Sequence, residues 1–179
     1  MRGRRGRLPP TLSNLKTIQA ETCEQLDTIR LLFLEYAQSL NFDLCFQNFD
    51  EELAGLPGDY APPDGRLLLV TCDDKAAGCV ALRKVADGVC EMKRLWVRPE
   101  FRGKKIGRRL AEEIISEARQ IGYKIMKLDT VDTMKEAMMV DPEDGNREKT
   151  KCEADELGDE RLHHGEKTCG VVLRDGRDL

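Results

Sequence analysis

The sequence predicts a mixed α/β (α+β) domain in which a central, mostly antiparallel sheet is flanked by helices. Apolar runs and helical periodicities follow one another in the order strand, two helices, three strands, helix, strand. Two tight turns, Asp73-Asp74 and Asp87-Gly88, join the middle strands as successive hairpins, the pattern of an antiparallel meander. The last of these strands then leads past Pro99 into an amphipathic helix, which buries its apolar stripe by lying on the sheet.

The elements follow from their residues. Leu15 to Ala20 reads as a short opening strand. Thr22 and Gln25 have the spacing of a capping box, which satisfies the free N–H groups of a helix start. Leu26, Ile29, Phe33, Tyr36, Ala37 and Leu40 recur at helical spacing, predicting a helix from about Cys23 to Leu40 with one buried face. A shorter helix over Asp50 to Ala54 ends near Gly55, before a loop marked by Pro57-Gly58 and Pro62-Pro63. Arg66 to Cys72, Gly78 to Val85 and Val89 to Val97 are the meander. Ile106, Leu110, Ile114, Ile115 and Ala118 share a helix face, Gly122 stands just past its end, and Tyr123 to Leu128 is a further strand. There is no internal repeat.

The 179 residues suit one domain with a real core, and the 40% apolar and 35% charged content is that of a soluble protein. No apolar run approaches the ~20 residues of a membrane span. Met1 to Arg7 is rich in arginine and no acid precedes Glu21. Residues 1–14 are expected to be a disordered basic extension in a cytoplasmic protein, with a mitochondrial presequence or a weak nucleic-acid contact as alternatives. Seven scattered cysteines without a CxxC pair point to free thiols in a reducing compartment and to no metal site. Cys72, Cys79 and Cys90 fall in strand-like runs, where cysteine acts as a small core residue.

The net charge of −4 argues against general nucleic-acid affinity, but it is unevenly spread. Arg98, Arg102, Lys104, Lys105, Arg108 and Arg109 face a single acid, Glu100, within twelve residues. This cluster lies where a strand ends and a helix begins. A helix start has unpaired N–H groups and a partial positive charge, and it cradles anions. Gly103 and Gly107 allow a phosphate close to the backbone, and the surrounding Arg and Lys add charge-assisted hydrogen bonds. A pyrophosphate is the ligand this geometry suits. Neither a Walker loop nor a G-x-G-x-x-G fingerprint is present.

From Gly78 to Ala137, including Glu91-Met92-Lys93-Arg94-Leu95-Trp96-Val97 before R-G-K-K-I-G, the chain resembles the GNAT N-acetyltransferase superfamily. The upstream part, from Leu15 through Phe46-Gln47-Asn48-Phe49 to Val70, is similar to bacterial-type members of uncharacterised substrate. The resemblance implies a GNAT-like sheet in an N-acetyltransferase domain over residues 15–138, using acetyl-CoA as co-substrate and an amine as acceptor. The family pattern [QR]-x-x-G-x-[GA] falls on Arg102, Lys105 and Gly107, so Lys105 replaces the usual first glycine. The resemblance further implies that pantetheine runs along the strand ending at Val97, against Leu95, Trp96 and Val97. The pyrophosphate would then sit on Arg102, Gly103, Lys104, Lys105, Ile106, Gly107 and Arg108.

An alkylammonium with a pKa near ~10.4 must lose a proton before it attacks a thioester, and a carboxylate can accept it. Glu91 is the candidate base. It reads equally as a strand-face charge paired with Lys93 or Arg94. The tyrosine that family members commonly place after the fifth strand to protonate the thiolate is missing.

Beyond Ala137 the resemblance ends, and Asp141 to Leu179 carries twelve acids and seven bases. No strand or helix periodicity returns until Thr168 to Leu173. Residues 139–179 are therefore expected to form an atypical, mostly disordered tail, and the sheet to lack its usual last strands. His163-His164 have polar neighbours and read as surface residues. The leading function is an acetyl-CoA-dependent N-acetyltransferase of a small molecule or protein. The alternative is a degenerate, non-catalytic CoA-binding or interaction protein of the same fold. Acceptor and oligomeric state are not legible.

Overall fold

The computed structural model describes residues 14–40, 48–130 and 167–173. Six strands, β1 (Leu15–Gln19), β2 (Arg66–Cys72), β3 (Lys75–Ala86), β4 (Val89–Val97), β5 (Ile125–Thr130) and β6 (Lys167–Val172), form one sheet in chain order. Every neighbouring pair is antiparallel except β4 and β5, which run parallel. A parallel pair needs a crossover, and α3 (Ile106–Ile121) supplies it. Helices α1 (Cys23–Ser39) and α2 (Phe49–Ala54) occupy the connection between β1 and β2. The mixed α/β class and the mostly antiparallel sheet are those the sequence predicts.

Local signals explain the boundaries. Thr22 and Gln25 form the capping box, with the Gln25 N–H donating to Thr22 Oγ1 at 3.3 Å and the Thr22 N–H to Gln25 Oε1 at 3.1 Å. Gly122 takes φ 103° past the end of α3, and its N–H closes onto the Ala118 and Arg119 carbonyls. Asp73 and Asp74 both adopt positive φ, so the β2–β3 turn is tight and β3 begins at Lys75, before the predicted Gly78.

The sheet is buried on both faces. Leu68, Val70, Val80, Leu82, Cys90 and Met92 meet Ile106, Leu110, Ile114 and Ala118 of α3. Leu67, Leu69, Cys79, Ala81 and Trp96 meet Ile29, Leu32, Phe33 and Tyr36 of α1. Successive residues of a strand point to opposite faces, so the unbroken apolar run Leu67 to Val70 serves both layers. Gly78 sits on β3 opposite Val97 of β4, and a Cβ there would lie 2.4 Å from the Trp96 carbonyl oxygen. Gly78→Ala is expected to cost about 1–3 kcal/mol through overpacking, read as a lower urea midpoint.

One closing strand is present where the sequence led us to expect the sheet to end. The stretch that regains strand character near Thr168 forms β6 and pairs with β5 from Ile125↔Val172 to Thr130↔Lys167. The outer edge of β5 otherwise presents a row of backbone donors and acceptors, which this short β-rich segment satisfies. Among the described residues no strand lies beyond β6, and the sheet does not close. The basic extension, His163-His164 and most of the predicted tail lie outside the described residues. No helix among the described residues is long and apolar enough to cross a membrane.

Candidate active site

β4 and β5 pair only from Val89↔Ile125 to Met92↔Leu128. Past that point β4 stays with β3 as far as Val97, and β5 stays with β6 as far as Thr130, so the sheet splits. A bulge marks the split. Between Ala81↔Lys93 and Cys79↔Trp96, β4 advances three residues while β3 advances two, and Arg94 takes φ 57°. Such a bulge bends a strand and increases its twist, which turns β4 away from β5.

Arg94 holds the bulge to the helices above it. Its side chain is 3% exposed, and it donates from Nε and Nη2 to the Glu52 carboxylate of α2 at 3.1 and 2.7 Å. The guanidinium also lies 5.0 Å from the Phe49 ring centre and 5.8 Å from that of Tyr36. The Tyr60 hydroxyl donates to Glu52 Oε1 at 2.7 Å. Burial opposes ionisation of Glu52, but the Arg94 hydrogen bonds and charge, with the Tyr60 hydroxyl, hold its carboxyl below the usual range. Burial and the Glu52 charge push the Tyr60 phenol well up, so it stays neutral.

The backbone of the split follows from strand alternation. The Arg98 N–H turns to β3 and donates to the Ala77 carbonyl at 2.9 Å. The backbone groups of Val97, and of Leu95 two residues earlier, therefore turn the other way, toward the split. Their side chains pack on the α3 face, whereas Trp96 packs on the α1 face. Arg102 is exposed; its Nε donates to the Val97 carbonyl at 3.1 Å and its guanidinium lies 4.9 Å from the Trp96 ring centre. Arg98 fixes the strand end through Glu35 of α1, at 2.7 Å from Nη2 to Oε1. That hydrogen bond lowers the Glu35 carboxyl pKa against the opposing effect of burial, helped by the Trp96 indole N–H.

Directly beyond lies the start of α3. Lys105 is its N-cap, in the left-handed region at φ 60° and ψ 17°, with no side-chain hydrogen bond capping the helix and no acid in the first turn. The Arg109 N–H donates to the Lys105 carbonyl at 3.1 Å, so the amides of Ile106 and Gly107 precede the helical ladder and have no acceptor within it. Gly103 has φ 77°, and nothing stands within 4 Å of a Cβ built there. A Cβ on Gly107 would meet only Val97 Cγ2, at 3.6 Å, so this glycine is not required by packing within the protein. Lys104 lies over Phe101, with Nζ 5.3 Å from the ring centre, and Arg108 pairs with Glu112 at 2.9 Å on the helix surface. The predicted junction is thus assembled, with Arg102 turned onto the strand end.

A non-glycine residue in the left-handed region costs roughly 1–2 kcal/mol. Lys105→Gly removes that strain and is expected to stabilise the protein by about 1 kcal/mol after the entropy of glycine is counted, raising Tm by about 2–4 °C.

Glu91 stands where the β4–β5 ladder stops. It is 6% exposed, its Oε2 accepts from Arg83 Nε at 2.6 Å, and Lys93 Nζ lies 3.7 Å from Oε1. Of the two pairings the sequence left open, Lys93 is adjacent, while Arg94 turns to Glu52. Arg83, Glu35 and Glu52, which pair with residues around the split, were not singled out by sequence reasoning, whereas Arg98 was named there only as part of the basic cluster. Among the described residues no group of His, Cys, Asp or Glu could hold a metal ion. Cys79 and Cys90 are buried thiols, and burial pushes the Cys90 pKa up to about 11.

Residues 26–139 match the Acetyltransferase (GNAT) family. The chain belongs to this family. An uncharacterized N-acetyltransferase of Schizosaccharomyces pombe is 45% identical over 125 residues, covering 68% of this GNAT chain and 76% of its own length. One from Dictyostelium discoideum is 32% identical over 181 residues, covering 67% and 84%. Among solved structures, a GNAT-family acetyltransferase from Staphylococcus aureus superposes with a TM-score of 0.67 at 16% identity, over 89% of this chain and 99% of its own. PaiA N-acetyltransferase from Thermoplasma acidophilum, in complex with coenzyme A, gives 0.58 at 14% identity, over 88% and 98%. At such identities the two structures speak for the fold. As a GNAT, the chain is an acetyl-CoA-dependent acyltransferase, and its relatives span a fungus and an amoeba as well as bacteria.

Proposed function

We propose that this GNAT transfers the acetyl group of acetyl-CoA to a primary amine, with the split between β4 and β5 as the active site. The observation that carries this reading is the juxtaposition of two features. The β4–β5 ladder stops at Met92↔Leu128, and the uncapped start of α3 lies just past the open end of β4. Backbone groups of Leu95 and Val97, on either side of Trp96, hydrogen-bond the pantetheine amides. The turn from Arg102 through Gly103, Lys104, Lys105, Ile106 and Gly107 to Arg108 holds the pyrophosphate. The N-acetyltransferase names of the fungal and amoebal relatives support an amine as acceptor.

In this reading Glu91 accepts the ammonium proton, directly or through a water, and the amine nitrogen then attacks the thioester carbonyl carbon. A C–N bond forms, the C–S bond breaks, and the departing thiolate takes a proton from solvent or from the amine. One observation favours the alternative, a non-catalytic CoA-binding relative: the Glu91 carboxylate is already engaged by Arg83 at 2.6 Å. Steady-state assays that follow CoA thiol release across an amine panel separate the two. Amine-dependent release supports catalysis. Binding of acetyl-CoA without release by any amine leaves the non-catalytic reading.

A further inference from the structure

At the split, the sheet face turned toward α1 and α2 is crowded with cations. Arg83 on β3 and Lys93 and Arg94 on β4 share it with Lys127 on β5, the register partner of Glu91. Among the described side chains the acids there are Glu52 and Glu91, with exposed Asp59 acting on Arg83 from the rim. Arg94 is matched by Glu52 and Arg83 by Glu91, each through hydrogen bonds. Lys93 is placed differently. Its side chain is 12% exposed, and its ammonium reaches Glu91 only at 3.7 Å, beyond hydrogen-bond length. The stem of Lys93 is thus largely buried while its ammonium, with three donors, has no hydrogen-bonded acid among the described residues, and a carboxylate is the strongest acceptor for them.

We infer that the acceptor is an α-amino acid, with Lys93 taking its carboxylate while its amine faces Glu91. This rests on the active-site reading above. An α-amino acid carries amine and carboxylate on one carbon, so it spans the short gap between Glu91 and Lys93. The surplus of positive charge among the described side chains also disfavours an ammonium at this place, which helps the bound amine lose its proton. A polyamine meets the same field as repulsion. The acceptor is thereby selected by its negative end.

The test uses the full chain at saturating acetyl-CoA and follows thiol release. It compares the common α-amino acids with their carboxamides, which keep the amine and lose the anion, and with spermidine. The expected result is a preference of about tenfold or more in kcat/KM for at least one free amino acid over its carboxamide. Lys93→Met is expected to bring that ratio near unity, and Lys93→Arg to keep most of it. Should Lys93→Met fail to fold, the wild-type ratio decides alone. Carboxamides or spermidine acetylated as well as the free acids would overturn the inference and leave acetyl transfer to amines standing. No thiol release with any amine, despite acetyl-CoA binding, would contradict acetyl transfer itself and this inference with it.

Discussion

Glu91→Gln is expected to lower kcat/KM for amine acetylation by about 100- to 10,000-fold, the range of a lost general base. Glutamine keeps the size of the side chain and its capacity to accept a hydrogen bond from Arg83, but it cannot take a proton at neutral pH. The substitution acts on the acceptor, whose ammonium must lose a proton before it attacks, and leaves the turn at Arg102 to Arg108 untouched. Acetyl-CoA affinity is therefore expected to change little while turnover falls. The residual rate should rise with pH, because the fraction of free amine in solution rises tenfold per unit below its pKa. A loss smaller than about tenfold would reduce Glu91 to a structural partner of Arg83 and Lys93.

Glu52→Ala is expected to destabilise the protein by about 3–5 kcal/mol, a large part of the ~5–15 kcal/mol typical of a domain. Arg94 is left 3% exposed without its carboxylate, beneath two aromatic rings that cannot replace it. The control is the double variant Glu52→Ala, Arg94→Met. Removing both charges from a buried pair costs much less than removing one, so it is expected to recover most of the loss in urea denaturation. The same pair gives the protein an acid-sensitive component. The folded carboxyl pKa of Glu52 is lowered, as is that of Glu35, relative to an unfolded value of about 4.3. The stability they contribute is therefore fully present above that value and is lost as pH falls through the folded values. Acid denaturation should be steeper in the wild type than in the double variant.

Local features were legible because they are encoded within a few residues. The capping box at Thr22 and Gln25, the stripe from Ile106 to Ala118 and the Gly122 cap each lie within one helix. The turn from Arg102 to Arg108 was legible as a place suited to an anion for the same reason, as glycines and cations cluster beside a strand end. The ion pairs of the split were not. Asp87-Gly88 announces the β3–β4 hairpin, and a regular register from that turn would set Lys84 opposite Glu91. A bulge between Lys84 and Ala86 moves Arg83 there instead. Glu52 meets Arg94, and Glu35 meets Arg98, only after α1 and α2 dock on the sheet. No spacing rule connects residues so far apart in sequence. β6 showed only as a brief recovery of strand character after a long charged stretch, and its pairing with β5 depends on an edge that the sequence does not display.

Calorimetric titration of the full chain with acetyl-CoA asks whether the split in the sheet and the uncapped start of α3 together make a coenzyme A site. Saturable binding near one acetyl-CoA per chain is expected, weakened by added salt because the pyrophosphate is held by charge. A chain that unfolds cooperatively, and is therefore folded at the start, yet gives no binding heat and no rise in Tm with acetyl-CoA would contradict it.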